Sequence, residues 1–173
     1  LAMETSRATK RGRRRANRVP AVAFAGYTNV GKSSLMNRLT DAGVLVDNSL
    51  FATLDPTVRK AYTSDGRLFT LADTVGFVRH LPHQLVEAFR STLDEVTDAD
   101  LVLHVVDGSD PDPERQLTSV REVLAEIGAE NLPEIVVINK ADLADPLTVA
   151  RLRRREPGAV TVSARTGFGI DEL

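Results

Sequence analysis

"VPAVAFAGYTNVGKSSLMNRL", residues 19 to 39, decides the fold. The apolar run up to Ala25 has the length of a buried strand. Leu35, Met36 and Leu39 then recur at helical spacing. Between them "GYTNVGKS" fits G-x-x-x-x-G-K-[ST], a pattern met by chance on the order of 10⁻⁵ to 10⁻⁴ times per position. Strand, glycine-rich turn and helix, in that order, make a cradle for phosphate. Backbone N–H groups of Gly26, Tyr27, Thr28, Asn29, Val30 and Gly31 curl around the anion, and the helix N-terminus adds its dipole. Lys32 reaches the outer phosphates, Ser33 offers its hydroxyl to Mg²⁺, and Ser34 completes the cradle. A glycine turn before an ordinary helix is the minor alternative.

Outward from this unit, strands and helices alternate. "VRKAYTS" and "RLFTLAD" flank Asp65-Gly66, a hairpin signal. Leu85, Val86, Phe89, Leu93 and Val96 mark one helical face. "LVLHVVD", "EIVVINK" and "AVTVSA" read as further strands. Asp112-Pro113 and Asp145-Pro146 each read as an N-cap followed by proline at the first helical position, and Gly128 closes the first of these helices. "GFGIDEL" begins a last helix that is incomplete. The expected fold is α/β: a mostly parallel six-stranded sheet with one antiparallel strand and helices on both faces. Ligands of such sheets bind at the carboxyl ends of the strands.

Composition narrows the class. The 173 residues are 42% hydrophobic and 27% charged, ordinary for a globular domain, and include no cysteine. That excludes disulfides and thiolate metal sites. No apolar run approaches the roughly 20 residues of a membrane span, and the start lacks the apolar stretch of a signal peptide. A cytoplasmic setting is expected. Residues 1 to 18 carry seven basic groups against Glu4, a net of +6; with -2 overall, the remainder carries -8. A basic arm ahead of an acidic domain suits an RNA or phosphate partner; a solvated linker is the plainer reading. The expected division is an arm over residues 1 to 18, with Leu1-Ala2-Met3 readable as vector-derived, and a nucleotide domain over 19 to 173.

A phosphate loop leaves ATP and GTP open. "NKAD", Asn139 to Asp142, stands at the end of an apolar strand. The Asp142 carboxylate can accept two hydrogen bonds from guanine N1 and N2. Adenine lacks that donor pair and would leave the carboxylate unpaired. Lys140 can lay its stem along the base. In "SAR", Ser163 to Arg165, the Ala164 N–H is placed to meet guanine O6. "DTVG" supplies Asp73, Thr74, Val75 and Gly76, the spacing of a γ-phosphate sensor. The next residue is Phe77, where many such enzymes carry a water-orienting glutamine.

The order of these motifs resembles a translation-factor-class GTPase domain. "GYTNVGKSSLMN", "LFATLDPT" and "DTVGFVRHLPHQLVEAFRSTLDEV" are similar to the HflX family of ribosome-associated GTPases, from about Arg13 to the last residue. The resemblance implies a first switch in "FATLD" (Phe51, Ala52, Thr53, Leu54 and Asp55). There Thr53 completes the Mg²⁺ shell, while Asp73 holds the ion through water and the Gly76 N–H bonds the γ-phosphate. Lys32, Thr53 and Gly76 then carry catalysis. HflX proteins share a hydrophobic residue after the glycine, so Phe77 does not imply a dead site. They also have an additional N-terminal domain to which nothing here corresponds, so the chain is expected to be a monomeric G domain from a longer protein. Its expected partners are GTP or GDP and the large ribosomal subunit with its rRNA. In related GTPases an asparagine at the Asn29 position binds K⁺ in place of an arginine finger's charge; tolerance of a tight turn explains Asn29 equally well.

The remaining polar residues take plainer readings. His104 is expected to be a satisfied core residue, and His80 and His83 surface loop residues. The Arg151 to Arg155 cluster ends a helix, where cations suit the dipole.

Overall fold

A computed structural model describes residues 19–40, 57–74 and 90–173. The elements run β1 (Ala21–Gly26), α1 (Lys32–Thr40), β2 (Thr57–Tyr62), β3 (Leu68–Asp73), α2 (Arg90–Thr97), β4 (Leu101–Asp107), α3 (Pro113–Glu126), β5 (Glu134–Asn139), α4 (Pro146–Arg155) and β6 (Val160–Thr161). They form one six-stranded sheet in the order β2-β3-β1-β4-β5-β6. Every neighbouring pair is parallel except β2 with β3. The expected architecture is the observed one.

The centre is β1, buried along its whole length. Strand periodicity divides its residues between two cores. Val22 and Phe24 pack with Leu35 and Met36 of α1 on one face. Ala23 and Ala25 face Leu93 and Val96 of α2 and Val120, Val123 and Leu124 of α3 on the other. The small alanines let those helices lie close to the strand. Leu117 of α3 and Leu152 of α4 extend the second face over Val106, Val136 and Ile138.

The predicted local signals operate as expected. Asp112 caps α3 by accepting the Arg115 N–H, and Asp145 caps α4 by accepting the Leu147 N–H. Each is followed by proline in the first turn. The hairpin turns through Gly66 at φ +85°, and the Thr63 side chain bonds to Asp65. The last strand is shorter than "AVTVSA" suggested, yet its path continues: the Val162 N–H donates to Ile138 O at 2.8 Å. "GFGIDEL" forms only a 3₁₀ turn, Ile170–Glu172. A Cβ on Gly169 would lie 2.1 Å from Thr161 O, so the chain passes the sheet there only as glycine.

His104 departs from expectation. It is fully buried on β4, but among the described residues neither ring nitrogen has a hydrogen-bond partner. Its Nδ1 lies 3.7 Å from Glu134 Oε2, too far for a good bond. Glu134 instead belongs to a cross-brace. Arg121 Nε on α3 donates to Glu134 Oε1 at 3.1 Å, and its Nη1 donates to Glu156 Oε1 at 2.7 Å beyond α4. Burial pushes the Glu134 carboxyl up, but His104 and Arg121 outweigh it and hold the group at about 2. Arg121→Ala should therefore destabilise the fold by about 2 kcal/mol, a figure reduced for partial exposure. Because the carboxyl is depressed in the folded state, its contribution is present above its ordinary pKa and lost as pH falls toward 2. Urea titrations at pH 7 and pH 3 check this: the wild-type advantage should shrink at pH 3. An equal advantage at both would remove Glu134 from the account.

Candidate nucleotide-binding site

The carboxyl ends of β1, β3, β4 and β5 lie along one edge of the sheet, and the chemistry-bearing residues gather there. The phosphate loop leaves β1 at Gly26, where a Cβ would meet Val105 O at 2.7 Å. Only glycine lets the loop turn so close to β4. The Leu35 N–H donates to Gly31 O at 2.9 Å, so α1 starts on the loop itself.

Lys32 is buried, and its ammonium donates to the carbonyls of Tyr27 at 2.9 Å and Gly26 at 3.3 Å. Burial pulls it down to about 8, against the opposing attraction of Asp73. An anion in the loop would favour its charged form. Ser33 Oγ donates to Asp73 Oδ2 at 2.6 Å, bringing both expected Mg²⁺-associated oxygens together at the foot of α1. Two hard oxygen donors beside a phosphate cradle fit Mg²⁺, which is held by few protein ligands and completes its shell with water and phosphate. Thr74 is also buried, and its hydroxyl donates to Phe24 O at 2.7 Å, tying the end of β3 to β1.

The "NKAD" and "SAR" loops lie alongside. Asn139 is 2% exposed and bonds in two directions. Its Nδ2 donates to Val30 O at 2.9 Å, and its Oδ1 accepts the Ala164 N–H at 3.0 Å. One side chain thus joins all three motifs. The Ala164 N–H, expected at guanine O6, is engaged within the protein in this geometry. Asp142 Oδ1 accepts from Ser163 Oγ at 2.7 Å, which orients the carboxylate. Arg165 Nη1 stands 4.0 Å from Asp142 Oδ2. Lys140 Nζ donates to Asn29 O at 2.8 Å, so the "NKAD" loop also clasps the phosphate loop.

Asn29 has φ +61°, as a tight turn requires. That accounts for the residue type as a turn former. Among the described residues, no group of three or more His, Cys, Asp or Glu is arranged to hold a metal. The first-switch residues Phe51, Ala52, Thr53, Leu54 and Asp55 lie outside the described residues. So do Val75, Gly76, Phe77, His80, His83 and the arm over 1 to 18.

Two contributors were missed in the sequence. Arg38 of α1 donates from Nε to Ala164 O and from Nη2 to Arg165 O, both at 2.7 Å, and so steadies the "SAR" loop. Nothing distinguishes a lone helical arginine in advance. Asp107 Oδ2 pairs with Lys140 Nζ at 2.9 Å. Its place at the carboxyl end of β4 was a usable signal.

The chain matches the family model described as 50S ribosome-binding GTPase over residues 21–140. A protein named GTPase HflX from Lacrimispora saccharolytica is 50% identical over 163 residues, 94% of this chain and 38% of that protein. One of the same name from Escherichia coli is 46% identical over 157 residues, 90% of this chain and 37% of that protein. The chain therefore spans less than two-fifths of these relatives. Among solved structures, Era in complex with MgGDPNP and nucleotides 1506-1542 of 16S ribosomal RNA superposes with a TM-score of 0.71 at 25% identity, covering 90% of this chain and 54% of that one. No helix among the described residues is long and apolar enough to cross a membrane.

Proposed function

The chain belongs to the family of 50S ribosome-binding GTPases, within which it groups with the HflX proteins, and on that premise we propose that it is a G domain that hydrolyses GTP slowly and uses the bound nucleotide to gate association with the large ribosomal subunit in the cytoplasm. The observation that carries the nucleotide reading is the joining of the phosphate loop to the "NKAD" and "SAR" loops through Asn139, with the Asp142 carboxylate aligned by Ser163. Phosphate and guanine would be read by one connected surface.

In this reading Lys32 exchanges its carbonyl partners for phosphate oxygens. Loop N–H groups hold the remaining oxygens, Asp142 fixes the base, and the Ala164 N–H would meet guanine O6 by leaving Asn139 Oδ1. Ser33 and Asp73 would hold Mg²⁺, which when bound neutralises charge on the outer phosphates. Thr53 and the Gly76 N–H are assigned to sensing the γ-phosphate, and Asn29 to a K⁺ ion. Residues 1 to 18 serve as a basic linker to the domain over 19 to 173. The ribosomal role draws on the family, whose printed description is 50S ribosome-binding.

Phe77 supports a second reading, a GTP-gated interaction module with negligible turnover, because its ring can neither give nor take a proton. Single-turnover GTP cleavage in K⁺ and in Na⁺, with and without large subunits, separates the two. The expected unassisted rate is on the order of 10⁻⁴ to 10⁻² s⁻¹. Phe77→Ala should change it only modestly, and Asn29→Ala should remove any K⁺ stimulation. No cleavage under any condition, with GTP still bound, would favour the module. A large loss in Phe77→Ala at unchanged affinity and folding would mean that the ring itself takes part in positioning.

A further inference from the structure

Only two non-glycine residues among those described have positive φ, Asn29 and Lys140, both at +61°. They are the two ends of one hydrogen bond, from Lys140 Nζ to Asn29 O at 2.8 Å. An L-residue in this left-handed region is strained, although asparagine tolerates it better than most. Both strained turns occur in nucleotide loops, and they are 111 positions apart in the chain. A strained pair of this kind persists only where surrounding contacts hold it.

Among the described residues, the other partner of the ammonium is Asp107. Its Oδ2 lies 2.9 Å from Lys140 Nζ, with the Asp107 side chain 16% and the Lys140 side chain 32% exposed. Asp107 is itself fixed: Oδ1 accepts the Ser109 N–H at 2.9 Å and Ser109 Oγ at 2.6 Å. It sits on β4 in register with Asn139 of β5, one residue before Lys140. A rigid carboxylate on the sheet therefore sets where the lysine head stands. The lysine head, in turn, reaches the carbonyl of the phosphate loop.

Resting on the reading of this site as a guanine-nucleotide pocket, we propose that Asp107 is a positioning residue for nucleotide: it holds Lys140 so that the base loop and the phosphate loop are clasped in binding geometry before nucleotide arrives. Asp107 is not assigned a contact with nucleotide. Its effect passes through the ammonium, so removing the ammonium should make Asp107 irrelevant to affinity.

Asp107→Asn keeps the shape and an acceptor for the Ser109 N–H while removing the charge that fixes Lys140. A charge-assisted bond of this kind corresponds to a loss in affinity of about tenfold or more. GDP titrations of the wild type, Asp107→Asn, Lys140→Met and the double variant form a cycle. Lys140→Met keeps the stem that lies along the base and removes only the ammonium. The expected result is a loss in each single variant, with the double variant no weaker than Lys140→Met alone. Losses that multiply would show that Asp107 acts structurally and would overturn the proposal. So would an unchanged affinity in Asp107→Asn. Asp107→Glu, which keeps the charge on a longer stem, should recover part of the lost affinity and serves if the asparagine variant does not fold; no recovery counts against the proposal. Failure of the wild type to bind GDP at all would instead remove the nucleotide reading beneath it.

Discussion

Asp142→Asn is expected to weaken GTP binding by on the order of 10²- to 10³-fold and to shift preference toward xanthosine triphosphate. A carboxylate presents only acceptors, which suits the N1 and N2 hydrogens of guanine. The asparagine amide presents a donor in their place and faces the guanine amino group with another N–H. Rejection on this scale is typical where a polar group built for a hydrogen bond is left unmatched. The C2 carbonyl of xanthine accepts from the amide and restores the match. The surroundings favour a clean exchange. Ser163 Oγ donates to Asp142 Oδ1 at 2.7 Å, and an asparagine can keep that oxygen while turning its nitrogen to the base. Folding should be little affected, because Asp142 lies in a loop just beyond β5. Competition against a fluorescent guanine nucleotide, with GTP and xanthosine triphosphate as competitors, checks the prediction. A variant that retained the wild-type order of preference would show that base recognition lies elsewhere.

What could be read in the sequence follows from how local each signal is. The phosphate loop was legible because strand, glycines, lysine and helix are consecutive and each has a local reason to be there. The helix starts at Asp112 and Asp145 were legible on the same grounds, since each cap bonds only two or three residues onward. The residues proposed to read the base stood out one by one, but their connection did not. Asn139 bonds to Val30, 109 positions away, and Arg38 to Ala164, 126 positions away. No periodicity reports such pairs. His104 shows the converse. Its place in an apolar strand correctly indicated burial, but whether its nitrogens found partners depended on the reach of Glu134 from the next strand. The direct bond between Ser33 and Asp73 was likewise hidden, because it needs β1 and β3 side by side.

The same long-range connection makes Gly31→Ala a damaging single methyl in the site. Gly31 has φ +96°, and a Cβ there would stand 2.3 Å from Asn139 Nδ2. Two costs add. The left-handed backbone costs an alanine about 1–2 kcal/mol, and the clash drives Asn139 away from Val30 O, leaving buried polar groups unpaired at about 1–3 kcal/mol. The damage does not stop at the phosphate loop. Asn139 Oδ1 accepts the Ala164 N–H, so a displaced Asn139 also releases the "SAR" loop. The packing cost corresponds to a GDP affinity lowered by on the order of 10- to 10²-fold, while the backbone strain falls on stability. Gly66→Ala is the control that separates the two costs. Gly66 has a similar φ, +85°, but a Cβ there meets nothing within 4 Å, and it lies in the hairpin between β2 and β3. It should lower thermal stability through backbone strain alone and leave GDP affinity unchanged. If Gly31→Ala bound GDP as well as Gly66→Ala does, the packing of Asn139 against the phosphate loop would not be what holds the two halves of the site together.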